Sequence, residues 1–332
     1  MKSCFRLLAL LLLCFLATQE GCRAQPASYS VCTWNVRNFG ITSRRDSKGR
    51  LKQEMKPQAE VNALVAILKR LNPDILGLNE IVQDPNNTYL RLLRQKLEET
   101  GLKYPYHAST IGEDDRIQNV LLSKFPIRED LSNNSQAYSV NRRNRQTGEL
   151  YPLKKRMERG LVNCLIEVTP ACRVRVLLVH LKSPLPVFGL QGDKPCEAGD
   201  EIIRRNEALI VRAAINDLLD KEPDARLVVM GDFNDNLRSK SLQTIRGGGL
   251  APAKRLTALD LPDFLGEYWT HFYAPEREYT QIDHILVSPV LLRELCRQQS
   301  FVYRAQPGDG MELDPASASD HRPVYAVFLV PR

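Results

Sequence analysis

The stretch Leu227-Val228-Val229-Met230-Gly231-Asp232-Phe233-Asn234 holds the first decision about the fold. A run of four apolar residues closed by glycine reads as a short strand buried on both faces, ending at Gly231-Asp232. Strand ends are where sheets present functional groups to a cleft, so Asp232 and Asn234 become candidates for chemistry. Alone, Gly231 to Asn234 is equally a plain turn, because Gly, Asp and Asn all favour turns. The reading gains weight because the same arrangement recurs along the chain.

Upstream, Val31-Cys32-Thr33-Trp34-Asn35-Val36 alternates as a strand and carries Asn35. Thr42 to Met55 is polar and charged and reads as an exposed loop. Pro57 opens a helix with Val61, Leu64, Val65, Leu68 and Leu71 on one face, stopped by Asn72-Pro73-Asp74. Ile75 to Leu78 is a second buried strand, ending at Asn79-Glu80, and Tyr89 to Glu98 a second helix closed by Gly101. Val120 to Leu122 is a strand, and Leu161–Val168 with Val174–His180 reads as a hairpin around Thr169-Pro170. Lys182 to Gly199 is a loop, and Glu201 to Leu219 a helix supported by Glu201 and Arg205 at i, i+4. Downstream, Asp283 stands at the start of the strand Ile282–Val287, and Asp320-His321 directly precedes Pro323–Leu329. Strands alternate with helices but hairpins interrupt them, which predicts a mixed α/β arrangement. Neither an internal repeat nor a low-complexity linker divides the chain, so residues 25–332 read as one domain.

The chain has 332 residues, 43% hydrophobic and 26% charged, which excludes disorder and a collagen-like repeat. Residues 1–24 read as a signal peptide: Lys2 and Arg6, then an apolar run from Leu7 to Ala17, with cleavage after Ala24. The run is shorter than the roughly 20 residues that span a bilayer. The expected location is secreted or periplasmic; Gln19 and Glu20 make a poor context for lipid anchoring on Cys22. Losing Lys2, Arg6 and Arg23 against Glu20 lowers the net charge from +7 to +5, which allows a polyanionic partner without proving one. Cys32, Cys164, Cys172, Cys196 and Cys296 remain, an odd number with no zinc spacing, so at least one thiol has no partner within the chain.

Glu80, Asp232, Asp320, Asn35 and Asn234 form an all-oxygen set, suited to hard cations such as Mg²⁺ or Mn²⁺. His180 and His321 beside such a cation would stabilise and protonate a phosphate ester in transit, which is metal-assisted phosphoryl chemistry.

Thr33-Trp34-Asn35-Val36-Arg37-Asn38-Phe39-Gly40, Leu78-Asn79-Glu80-Ile81, His180-Leu181-Lys182-Ser183, Gly231-Asp232-Phe233-Asn234, Ile282-Asp283-His284-Ile285 and Ser319-Asp320-His321-Arg322-Pro323 stand in this order. The chain thereby resembles the endonuclease/exonuclease/phosphatase superfamily, the deoxyribonuclease I-like group, over about residues 30 to 330. The resemblance implies a four-layer sandwich, two packed mixed β-sheets flanked by helices. It implies Glu80 as the central Mg²⁺ ligand, with Asn35 and Asp320 at the further metal-site positions. Asp232 resembles the residue that orients or deprotonates the attacking water and touches metal, and Asn234 the one that positions water and phosphate. His321 resembles the histidine at the scissile phosphate, Asp283 its carboxylate partner, and His180 the second histidine. Arg159 matches a phosphate contact.

Asn79 stands where many relatives have Gln, and the acidic partner of the first histidine has no secure counterpart; Gln118 or Asn119 falls near that point. Basic runs at Arg142, Arg143, Arg145, Lys154, Lys155, Arg156 and at Arg44, Arg45, Lys48, Arg50, Lys52 would grip phosphates or form a solvated face. His107 and His271 fit none of the motifs and read as structural or surface residues. The expectation is an exported Mg-dependent phosphodiesterase acting on nucleic acid, monomeric and without a standing protein partner. The alternative is a phosphatase or a phospholipid or inositol-phosphate phosphodiesterase using the same site.

Overall fold

The computed structural model describes residues 27–45, 48–144, 146–191 and 198–331. The expected signal peptide, Cys196 and Arg145 lie outside the described residues. Among those described, the chain is a mixed α/β fold built on two six-stranded sheets. The first sheet runs in the order Phe301–Val302, Val324–Leu329, Ser28–Phe39, Ile75–Val82, Ile117–Ser123, Tyr106–Ile111. The second runs Thr257–Ala258, Asp283–Val287, Leu227–Asp232, Cys172–His180, Val162–Thr169, Ile127–Asp130.

Side-chain alternation along the strands explains the layering. Ile75, Leu178, Met230, Ile285 and Phe328 point between the sheets and fill one core. Their neighbours Trp34, Leu76 and Leu78 point outward against helices α1 (Gln58–Leu71) and α2 (Thr88–Glu99). On the other side, Leu177, Val179 and Val229 pack on helix α3 (Gly199–Lys221) through Ala208, Val211 and Ile215. The result is helix, sheet, sheet, helix. Gly77 marks the closest approach of the sheets: a Cβ there would lie 2.7 Å from Leu178 Cδ1 and 2.8 Å from Met230 Cε.

Two sequence readings need correction, and one pair of strands had no reading at all. Thr42–Met55 is not a loop; Ile41–Arg45 pairs with Leu51–Met55 in an antiparallel hairpin. Its second strand is exposed along most of its length, so it has no apolar alternation to betray it. Residues 137–156 also form strands, Ala137–Arg143 and Leu150–Arg156, joined by Leu190–Gln191 into a small sheet that carries the first basic run. Finally, the strand from Ile75 does not end at Glu80 but continues to Val82 through a bulge between Leu78 and Ile81. Among the described residues no helix is long and apolar enough to cross a membrane.

Candidate active site

Sheet register places the polar strand ends side by side. Asn35 pairs with Asn79 in the first sheet. In the second, Asp232 lies between His180 and Asp283 on its two neighbouring strands. The strand Leu227–Asp232 approaches so closely that a Cβ on Gly231, at φ 138°, would meet Val179 O at 2.0 Å. Only glycine brings Asp232 there.

Asn79 fastens the two sheets together. Its Nδ2 donates to Asn119 Oδ1 at 2.8 Å and to Val179 O at 3.0 Å, while its Oδ1 accepts from Asp232 N at 3.1 Å. Across this seam Asn35 Nδ2 donates to Glu80 Oε1 (3.1 Å) and to Asp232 Oδ2 (2.9 Å). Asn35 therefore presents its NH₂ to both carboxylates, and its Oδ1 accepts from Arg37 N at 3.0 Å. Glu80 sits in the bulge at φ 66°, and Arg37 and Asn38 facing it have φ of 49° and 53°. Such left-handed backbone in non-glycine residues is strained and is held here by Asn38 N donating to Glu80 Oε2 at 3.1 Å.

His321 Nδ1 lies 2.8 Å from Asp283 Oδ2, and its Nε2 faces Asp232 Oδ2 at 4.0 Å. Burial alone would push this imidazole down, but the charge of Asp283 and its hydrogen bond, with Asp232 and Asp320 nearby, raise it to about 10. Trp34 Nε1 donates to His321 O at 2.9 Å, and Ser319 Oγ accepts from His321 N at 3.1 Å, so the ring's backbone is fixed from two sides. His180 is the opposite case. Burial, then Arg159 and His321, push it well below the ordinary histidine range, so it is a neutral ring. Its Nε2 faces Asp232 Oδ2 at 3.6 Å and Glu80 Oε1 at 4.0 Å, and its Nδ1 has no partner among the described residues. Neither Gln118 nor Asn119 supplies the acidic partner: Gln118 Nε2 turns to Asn87 Oδ1 and Asn119 Nδ2 to Gly160 O.

Burial raises both Glu80 and Asp232; the charges of Asp232 and Asp320 add to the rise of Glu80, and that of Asp283 helps bring Asp232 to about 6. Buried Asp232 and part-buried Glu80, both held above their usual range, are a carboxylate pair that a hard cation would relieve, whereas Asn35, expected as a metal ligand, turns its NH₂ and not its oxygen to them. The chemistry of the residues therefore fits a divalent metal. Asp320 pairs with Arg37, its Oδ2 3.3 Å from Arg37 Nε, and its charge adds to the rise of Glu80. Asn234, at φ 51°, donates its backbone N–H to Asp232 Oδ1 (2.8 Å) and its Nδ2 to Leu181 O (3.0 Å), so it orients Asp232 directly. Arg159 is buried with Nη2 3.8 Å from Asp114, while its Nε and Nη1 have no partner. His284 is not at the cleft; its Nε2 contacts Asp235 O at 3.0 Å under the turn.

Sequence reasoning missed two residues. Glu207, on α3, is fully buried and accepts from Glu158 N and Lys182 N, both at 2.7 Å. It thus ties down the segments that carry Arg159 and His180. Its signal was faint, a lone acid on the buried face of a helix. Burial, against those two donors, raises it to about 7. A folded pKa above the ordinary 4.5 gives stability that is full below pH 4.5 and is lost as pH rises through 7. Glu207→Gln should abolish that component, on the order of 3 kcal/mol between pH 4.5 and 8. Urea unfolding of both proteins at pH 5 and pH 8 checks it; an equal pH dependence in the two would refute the assignment. The second missed residue, His271, lies against His321, with ring centroids 4.5 Å apart.

The family profile of the Endonuclease/Exonuclease/phosphatase family matches residues 32–321, and the chain belongs to that family. Its members are hydrolases acting on phosphate ester bonds and are generally dependent on a divalent metal; this protein is a phosphate ester hydrolase. No curated protein matches the sequence. Among solved structures the chain is similar to truncated TDP2 of Caenorhabditis elegans, at 15% identity and TM-score 0.53, covering 91% of this chain and 98% of that one. It is similar to a mannosyl-6-phosphatase of Bacteroides thetaiotaomicron, at 18% identity and TM-score 0.52, covering 91% and 100%. It is also similar to the 3′ phosphatase NExo from Neisseria, solved with a product DNA hairpin, at 17% identity and TM-score 0.53, covering 90% and 99%. At these identities the likeness speaks for the deoxyribonuclease I-like fold.

Proposed function

We propose that the protein is an exported, Mg²⁺-dependent phosphodiesterase that cuts nucleic acid as a monomer, secreted or periplasmic, by water attack on phosphorus. The observation that carries the reading is the pairing of a cationic and a neutral histidine, His321 and His180, on either side of buried Asp232. Asp232 accepts the proton of the attacking water, oriented by Asn234. His321, held as imidazolium by Asp283, donates to the phosphate as charge builds on its oxygens. His180, neutral and lodged beside Asp232, donates one hydrogen bond without adding charge. Glu80, with Asp232 and Asp320 near it, would hold the Mg²⁺, Asn35 keeping the Glu80 and Asp232 carboxylates in place. The metal would supply charge stabilisation at a phosphate oxygen and a more acidic water.

The exposed Arg142, Lys154 and Arg156 on the small sheet support a polyanionic substrate, because that sheet leads directly into Arg159. A phosphomonoester is favoured by a different observation: Arg159 keeps two buried N–H groups unpartnered, enough for the extra charge of a terminal phosphate. The deciding experiment is nicking of supercoiled plasmid by residues 25–332 with Mg²⁺, with chelator, and with Asp232→Ala. Nicking that needs both the metal and Asp232 is expected. A folded protein that leaves plasmid intact while cleaving 4-nitrophenyl phosphate would move the substrate class to monoesters.

A further inference from the structure

His271 stands on the strand His271–Tyr273, which forms a hairpin with Glu278–Thr280 beside the site. The hairpin is bonded to both halves of the His321–Asp283 pair. Phe272 N donates to Asp320 O (2.9 Å) and Arg322 N to Thr270 O (2.7 Å). Asp283 N and Ile282 N donate to Thr270 Oγ1 at 3.0 and 3.1 Å. The first two bonds flank His271 and His321 and make them a non-hydrogen-bonded antiparallel pair, the arrangement that brings opposed side chains closest on one face. His271 must therefore share the face that His321 turns to the phosphate, and the rings lie 4.5 Å apart at 41°.

His271 is half-buried, at the mouth of the site. Its Nδ1 lies 3.2 Å from Thr280 Oγ1, a hydroxyl able to donate to it, and in the tautomer where it does so the proton sits on Nε2. Burial and the neighbouring His321 cation keep the ring neutral. From these contacts we infer that His271 is a substrate-contacting residue, a neutral Nε2–H donor to a phosphate oxygen next to the one held by His321. It sets how tightly the phosphate group is gripped and which way its substituent leaves the cleft. The inference rests on the protein's class as a phosphate ester hydrolase and holds for diester or monoester alike.

The probe is inorganic phosphate, the group common to both substrate classes, titrated by calorimetry into the full protein with Mg²⁺. His271→Phe keeps a ring of similar size in the hairpin and loses the donor; His271→Gln keeps a donor near the Nε2 position. Loss of a hydrogen bond to a charged group predicts about ten- to hundredfold weaker phosphate binding for Phe, and retention within about threefold for Gln. A packing role predicts the reverse, with Phe close to wild type. Wild-type affinity in His271→Phe, or no phosphate binding by the wild type, overturns the inference. Plasmid nicking by the same proteins reports separately: His271-dependent phosphate binding without nicking would remove the nuclease reading and leave this contact standing.

Discussion

Asp232→Asn should lower kcat by about 10³–10⁴-fold without unfolding the protein, since it removes both the proton acceptor and the charge facing the metal and His321. Asn is nearly isosteric and can still accept from Asn234 N, which donates to Asp232 Oδ1 at 2.8 Å. What changes is Oδ2, which accepts from Asn35 and faces Nε2 of both histidines. An NH₂ there opposes the Asn35 NH₂ and has no lone pair for a water proton. Stability should move the other way. Asp232 is raised above the ordinary 3.8 to about 6, so its contribution to stability is full below pH 3.8 and is lost as pH rises through 6. In metal-free buffer the Asn variant should therefore lose less stability than wild type between pH 4 and pH 8, whatever the opposed Asn35 amide costs it at every pH. Adding Mg²⁺ should raise the wild-type Tm and raise the variant's less, because the cation relieves a repulsion that the variant lacks. A variant with wild-type kcat, or one whose stability keeps the wild-type pH dependence, would contradict this account of Asp232.

The parts of the fold that were legible in the sequence are those where burial imposes a pattern. Val61 to Leu71 must show one apolar face because that face meets Trp34 and Leu76. Leu227 to Met230 must be apolar throughout because both faces are covered. The site was legible for the same reason: Asp232, His321 and Asp283 are polar residues at the ends of such strands. The strand Leu51–Met55 is exposed along most of its length and the small basic sheet buries only a short row around Tyr138 and Val140, so pairing there leaves little periodic trace. Glu80 looked like a strand end because a bulge with φ 66° interrupts the pairing. His271 was invisible because its neighbour is 50 positions away in sequence and only the antiparallel register joins them. The ionic partner of Asp320, Arg37, was hidden likewise, since a contact between the irregular end of one strand and the turn before another follows no spacing rule.

Asp283→Asn tests whether the proton on His321 is what the site depends on. Asp283 Oδ2 lies 2.8 Å from His321 Nδ1, and its backbone N–H is anchored on Thr270 Oγ1. The Asn side chain retains an oxygen for that hydrogen bond, so ring orientation and tautomer survive. The charge does not survive. In the wild type, burial pushes His321 down and Asp283 outweighs it, which holds the ring protonated up to about 10. Without the carboxylate, burial prevails and the ring is neutral at pH 8. Loss of a cationic donor at the phosphate is expected to cost about 10²–10³-fold in kcat at that pH. The loss should shrink as pH falls and the ring regains its proton, so the basic limb of the variant's profile moves several units toward acid. A second readout follows from linkage. A histidine raised from 6.5 to about 10 gives stability that is full below pH 6.5 and is lost as pH rises through 10. Wild-type unfolding free energy should therefore fall between pH 7 and 9.5, and that of Asp283→Asn should stay nearly flat over the same interval. If the variant keeps the wild-type basic limb, Asp283 is not what holds the proton, and the pairing at 2.8 Å serves only to aim the ring.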